Sequence, residues 1–341
     1  MTAQPSTTPL RHLLVDDDLT QAEQGCVLDL AERLRTEPYA TRPLAGPRSV
    51  AVIFDKPTLR TQASFSAGIA ELGGFPMMVD GRLAAIGRRE TIPDVARVLG
   101  RQTAAIVWRT FAQADLATMA AYAGVPVVNA LTDAYHPCQI LADLQTLRQH
   151  GRPLPGLTFA YVGDGANNMA ASYLLGGVTA GLHVRIGAPE AFHPGPELVE
   201  RARALGATTG GSVTVTDSPT EAVAGADAVA TDTWVSMGQE EDGVDRSVFA
   251  AYQVDDALLR HADADALFLH CLPAYRGKEV SAEVLEGPRS VVWDEAENRR
   301  HAQKAVLTFL LERSGQVEPS GLLEAPTAAP APGRSNADGV A

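Results

Sequence analysis

Val50-Ala51-Val52-Ile53-Phe54 runs into Asp55-Lys56-Pro57-Thr58-Leu59-Arg60-Thr61-Gln62 and then Ala63-Ser64-Phe65. The apolar, β-branched run reads as a buried strand, and Pro57 breaks it. Phe65, Ile69 and Leu72 then recur at helical spacing up to Gly73-Gly74. A strand therefore feeds a helix through a short polar turn. The first turn of such a helix has unpaired N–H groups and the positive end of the macrodipole, and here it also carries Thr58, Arg60 and Thr61 as donors. That is the composition of an anion site, and equally of a capped helix with a solvated arginine.

Outward from this stretch, strands and helices alternate. Thr20 and Glu23 have capping-box spacing ahead of an amphipathic helix carrying Val27, Leu28, Leu30, Ala31 and Leu34. Strands are expected over residues 75–79, 104–107 and 125–129, with helices over 92–99, 116–122 and 139–148 and a loop through Gly87. Gly151-Arg152-Pro153-Leu154-Pro155-Gly156 is the clearest interior punctuation. Beyond it the alternation resumes, with strands over 157–162, 182–186, 213–216, 228–231, 266–270 and 290–292 and helices over 167–176, 196–205 and 302–313. The expectation is an α/β protein of two doubly wound parallel-sheet domains joined by helices, 1–150 and 151–314, with the last helix packing back on the first domain. Residues 315–341, rich in Pro, Ala, Ser and Gly, are expected to be a disordered tail.

Bulk properties narrow the function. A chain of 341 residues with 45% apolar and 20% charged residues has room for two cores. The net charge of −13 argues against a nucleic-acid or anionic-membrane binder, so an anionic ligand must be held by local cations. Cys26, Cys138 and Cys271 have no paired spacing, which disfavours disulfides and zinc and fits a reducing cytoplasm. Residues 1–10 contain no apolar leader, and no stretch approaches membrane-span length. The expected setting is cytoplasmic, without membrane or nucleic-acid partners.

Ligands of open α/β sheets sit outside the carboxyl ends of strands. There the chain places Arg109 after Val107, and after Asn129 the turn His136-Pro137-Cys138-Gln139. A histidine at a helix start tends to stay neutral and available as a donor. Gly163-Asp164-Gly165-Ala166-Asn167-Asn168 looks like a dinucleotide fingerprint, but its third glycine is Asn168 and no acid ends the next strand. A nicotinamide-dependent oxidoreductase is disfavoured accordingly. Asp232 follows an apolar strand, either to hold an ammonium group or to cap a helix. Cys271 follows Leu267-Phe268-Leu269-His270 at a strand end, better suited to a site than to a core.

Together, residues 56–61, the His136 turn, residues 164–168, Asp232 with Ser236-Met237-Gly238, His270-Cys271-Leu272-Pro273 and Glu297-Asn298-Arg299 resemble the ornithine carbamoyltransferases in order and spacing. The resemblance covers about residues 13–313. It implies transfer of a carbamoyl group from carbamoyl phosphate to the δ-amine of L-ornithine, giving L-citrulline and phosphate for arginine biosynthesis. It also implies a homotrimer, and neither metal nor organic cofactor. Carried over by position, it puts carbamoyl phosphate on Thr58, Leu59, Arg60, Thr61, Arg109, His136, Gln139, Cys271, Leu272 and Arg299. Ornithine falls on Asn168, Asp232, Ser236 and Met237. Arg60, Arg109, His136 and Cys271 are the implied catalytic groups, since attack builds negative charge on the carbonyl oxygen and then on the leaving phosphate.

Two departures fall on the phosphate site. The family pattern Ser-Thr-Arg-Thr-Arg is here Thr58-Leu59-Arg60-Thr61-Gln62, and a Ser-Gln pair that reaches a neighbouring subunit is here Ala84-Ala85. Arg82, Arg88 or Arg89 could compensate. The rival readings are a carbamoyltransferase for putrescine, N-acetylornithine or lysine, and a weakly active or non-catalytic paralogue that holds ornithine.

Overall fold

The computed structural model describes residues 9–56, 58–235 and 245–323. Two all-parallel sheets dominate it. The first is built from β1 (Ser49–Phe54), β2 (Phe75–Asp80), β3 (Ala105–Arg109) and β4 (Val127–Leu131), in the order β2-β1-β3-β4. The second contains β5 (Thr158–Val162), β6 (His183–Gly187), β7 (Ser212–Thr216), β8 (Ala228–Thr231) and β9 (Leu267–His270), in the order β7-β6-β5-β8-β9. β1, β3, β5 and β8 are buried almost throughout, which is why they read as continuous apolar runs rather than alternating ones.

The crossovers are helical. In the first half they include α1 (Gln21–Thr36), α2 (Arg60–Glu71), α3 (Gly81–Ala84), α4 (Ile92–Leu99), α5 (Gln113–Ala123) and α6 (Pro137–Gln149). Thr20 caps α1 and closes the expected capping box with Glu23. In the second half come α7 (Asn168–Ser172), α8 (Pro196–Thr209), α9 (Pro219–Val223), α10 (Asp256–Leu259), α11 (Ala282–Leu285) and α12 (Val292–Arg313). α7 runs on into a π-helical turn, Tyr173–Gly177. Two helical crossovers of the chain are central: α6 is buried from Pro137 to Leu147, and α12 crosses from the second sheet to pack on α6, α1 and α2. One apolar core consequently runs from β1 and β3 through α6 and α12 to β5 and β6.

Two expectations need correction. Residues 290–292 are not a strand: Ser290 makes one isolated bridge to Phe268, and Val292 already opens the 22-residue α12. Val291 and Val292 are buried, so a short β-branched run carried the apolar signal while Asp294 and Glu295 suited a helix N-terminus. Nor is the whole of 315–341 without structure. Arg48 donates to the Gln316 carbonyl at 3.1 Å, and Leu323 is buried against the core. Single apolar anchors do this, and they barely alter composition. Residues 324–341 lie outside the described residues.

The topology decides where a ligand goes. Strand order reverses between β1 and β3 in one sheet and between β5 and β8 in the other, and crevices open at the carboxyl ends of such pairs. Phe54 pairs with Arg109 at the first reversal. Gly163, with φ +135°, turns the chain out of β5 at the second.

Candidate active site

At the first reversal three arginines converge. Thr58 and Leu59 lead into α2, whose first residue is Arg60, and Thr61 turns inward, fully buried. Its hydroxyl oxygen accepts from Arg299 Nη2 at 2.7 Å and, weakly, from Arg109 Nη1 at 3.5 Å. Arg299 Nη1 also donates to Gln139 Oε1 at 2.9 Å. Both guanidinium groups are buried, and neither Nε has a hydrogen-bond partner among the described residues. Burial and the neighbouring Arg299 push Arg109 down to about 10; burial likewise lowers Arg299, with Arg60 adding to it. Three clustered cations with no carboxylate bonded to them among the described residues are stabilised by an incoming anion.

His136 stands beside them at the start of α6. Its backbone N–H donates to Ser172 Oγ at 2.8 Å, and its buried Nδ1 has no partner among the described residues. Burial, then the charges of Arg299, Arg109 and Lys56, hold it well below the usual histidine range. A neutral imidazole in this setting can donate to a developing oxyanion without adding a fourth charge.

The second reversal supplies carboxylates and a thiol. Asp232 leaves β8 and accepts from the Thr233 N–H at 2.7 Å, and Cys271 Sγ at the end of β9 donates to Asp232 Oδ1 at 3.3 Å. Burial first, then Asp232 and Glu295, push the Cys271 thiol well above its ordinary range. Asp164 Oδ1 accepts from the Ala166 N–H at 2.9 Å. Asn167 caps α7 and donates to the Tyr161 hydroxyl at 2.8 Å, while Asn168 Nδ2 donates to the Thr132 carbonyl at 2.7 Å. Leu272, with φ +59°, turns the chain away from β9. The donor atoms of Asp232, His270 and Cys271 gather within 4.8 Å, but both ring nitrogens of His270 are engaged, by the Leu272 N–H and Glu279, so this is not a metal site.

A cavity of about 670 Å³ joins the two reversals. Lys56, Arg60, Arg109, His136 and Arg299 line one side; Asp164, Asn168, Asp232 and Cys271 line the other. It matches a ligand pair in which one member is anionic and the other carries an amine.

Two family descriptions match the chain: "Aspartate/ornithine carbamoyltransferase, carbamoyl-P binding domain" over residues 11–149 and "Aspartate/ornithine carbamoyltransferase, Asp/Orn binding domain" over residues 155–310. The chain belongs to the aspartate/ornithine carbamoyltransferase family. It is 59% identical over 311 residues to the ornithine carbamoyltransferase of Rhodococcus jostii, covering 91% of this chain and 99% of that one. It is 60% identical over 305 residues to that of Clavibacter sepedonicus, covering 89% and 99%. Among solved structures, ornithine carbamoyltransferase from Pyrococcus furiosus superposes with a TM-score of 0.84 at 40% identity, covering 89% of this chain and 98% of that one.

Within this family frame, the structure brings Thr58, Leu59, Arg60, Arg109, His136, Asn168, Asp232, Cys271, Leu272 and Arg299 to the cavity wall. Thr61 and Gln139 stand behind it, bracing the arginines rather than facing the ligand space. Ser236 and Met237 lie outside the described residues. Lys56 and Asp164 also line the cavity, although sequence reasoning gave them no ligand role. Their place directly after β1 and β5 was the available signal. Lys56 pairs with Asp133 and lies 4.5 Å from the centre of the Phe111 ring.

The raised thiol makes a prediction. Iodoacetamide should alkylate Cys271 much more slowly at neutral pH than it does free cysteine, and the rate should increase in Asp232→Asn, which removes one cause of the shift. Site-resolved mass spectrometry measures both rates. Alkylation as fast as that of free cysteine would show a thiolate at this position.

Proposed function

We propose that the protein transfers the carbamoyl group of carbamoyl phosphate to the δ-amine of L-ornithine, releasing L-citrulline and phosphate, as a step of arginine biosynthesis in the cytoplasm. The observation that carries this reading is one cavity that has, at one strand reversal, buried arginines with no carboxylate partner among the described residues and, at the other, the Asp232–Cys271 pair. Relatives 59% and 60% identical bear the ornithine carbamoyltransferase name. In this reading the half with β1–β4 holds carbamoyl phosphate and the half with β5–β9 holds ornithine. Ser236 and Met237, outside the described residues, are assigned to ornithine by the resemblance alone.

The chemistry follows from the groups present. The neutral δ-amine attacks the carbamoyl carbon, a C–N bond forms, and the C–O bond to phosphate breaks. Arg109, Arg299 and His136 stabilise the charge that develops on the carbonyl oxygen and on the departing phosphate. Cys271 is held as a thiol, so it orients the amine as a hydrogen-bonding group and does not accept its proton. Asp232 or the leaving phosphate takes that proton. No step calls for a metal or an organic cofactor. Binding both substrates in one cavity supplies much of the remaining acceleration.

The same reading includes self-association as a homotrimer. β2 is an unpaired edge of its sheet, and Phe75, Met78 and Leu83 are exposed along it and the turn that follows. No helix among the described residues is long and apolar enough to cross a membrane.

A carbamoylation assay offering ornithine, putrescine, lysine and N-acetylornithine, each with carbamoyl phosphate, tests the reading. Citrulline formation from ornithine is expected; no product from any amine would sink it. The departure at Leu59 has its own test. Leu59 lines the cavity mouth, is 78% exposed, and stands at the N-cap of α2 without a side-chain bond. Leu59→Thr restores a hydroxyl there and should lower KM for carbamoyl phosphate several-fold, the scale of about 1 kcal/mol for one polar contact. An unchanged KM would mean that neighbouring arginines already compensate.

A further inference from the structure

Behind the cavity, α6 and α12 bring two carboxyl groups together out of reach of solvent: Asp143 is 1% exposed and Glu295 is 0%. One nitrogen bridges them, as Gln139 Nε2 donates to Asp143 Oδ1 at 2.8 Å and to Glu295 Oε1 at 3.0 Å. The other two oxygens accept from the Tyr173 hydroxyl at 2.7 Å and the His270 N–H at 2.8 Å. Arg299 faces this group, but its bonds go to Gln139 Oε1 and Thr61 Oγ1 and not to either acid. Two carboxylates that share a donor in the core, with no cation bonded to either, cannot both stay ionised.

We infer that Asp143 and Glu295 hold one proton between them and act as a positioning pair, fixing Gln139 and through it Arg299 while anchoring the strand end that carries Cys271. The inference rests on the carbamoyl-phosphate reading of the Arg299 side. α6 supplies Gln139 and Asp143, α12 supplies Glu295 and Arg299, and β9 supplies His270 and Cys271, so one buried pair ties the anion side of the cavity to the amine side. The groups facing it are Arg299, the Tyr173 hydroxyl, the Cys271 thiol and the His270 backbone. Burial raises both acids, and for Glu295 the Asp143 charge adds to it. With one proton the pair carries a single negative charge. Loss of that proton at alkaline pH adds a second charge next to Arg299 and weakens its hold on an anion.

Two measurements test this. In protein labelled with ¹³C at the aspartate and glutamate side-chain carboxyls, a resonance should keep the protonated shift at neutral pH and vanish in Glu295→Gln. Aspartate and glutamate carboxyls that show no protonated resonance dependent on Glu295 would overturn the inference, and this readout needs no turnover. In the carbamoylation assay, Glu295→Ala should raise KM for carbamoyl phosphate about tenfold or more, the scale of one lost hydrogen bond to a charged group, with a smaller change in kcat. Glu295→Gln should recover most of that loss and lack the alkaline rise in KM of the unmodified chain. Equal losses in both variants, with an unaltered pH profile, would leave only a packing role and defeat the proposal. Absence of turnover with every amine defeats the functional reading instead, leaving the ¹³C result to decide the pair.

Discussion

Arg109→Met is expected to cut kcat/KM for carbamoyl phosphate by about a thousandfold or more, with no fall in melting temperature. The kinetic size follows from deleting a preorganised cation in a water-poor cavity, where one such donor contributes about 10²–10³ in rate and its binding contact adds to that. The stability direction follows from its surroundings. Burial and Arg299 push the Arg109 guanidinium down to about 10, so its charged form opposes folding throughout the neutral range, by about 3 kcal/mol at 1.36 kcal/mol per unit. Sign and pH window agree: the destabilisation is present below the folded value and fades only above it. Methionine keeps much of the side-chain volume, and Thr61 keeps its stronger bond to Arg299. Steady-state kinetics and thermal denaturation check both halves. A large loss of activity together with a large drop in melting temperature would identify Arg109 as structural.

Asp232→Asn should fall hardest on the other substrate. The carboxylate accepts from the Cys271 thiol and the Thr233 N–H, and it faces the cavity opposite the arginines. Asparagine keeps one acceptor oxygen and the shape but loses the charge that attracts an amine and can take its proton. A loss of about 10²–10⁴ in kcat/KM for ornithine is expected, the range of a positioned general base. KM for carbamoyl phosphate should change far less, because the cations of that side lie across the cavity. Equal losses for both substrates would show that Asp232 holds the cavity's shape rather than the amine.

Much of this was legible from residue order. Hydrophobic runs at strand length, followed by apolar residues at helical spacing, placed β1 and α2 and predicted the alternation on both sides of residues 151–156. Polar residues directly after those runs, Arg109, Asp232 and Cys271 among them, are the ones the structure brings to the cavity. That success is local in origin: strand ends at a parallel sheet's carboxyl edge are marked in sequence by the change from apolar to polar. The last strand expected at 290–292 failed for a related reason, since three residues cannot show a period and the acids that follow belong to a helix start.

The sequence by itself determined two parallel-sheet halves and a set of chemically suitable residues at strand ends. Tertiary structure alone decided which of them touch ligand space. Arg299 reaches Gln139 across 160 positions and Thr61 across 238, and only that convergence turns Thr61 and Gln139 into braces behind the wall. The same convergence left Arg109 and Arg299 without a carboxylate partner among the described residues and paired Asp143 with Glu295. Charge state, proton sharing and ligand access depend on burial and on through-space neighbours, and neither is encoded at any fixed spacing along the chain. At residues 58–62, the order of residues announced an anion site, and the fold determined that Arg60 and Leu59 face the cavity while Thr61 turns inward to hold its arginines.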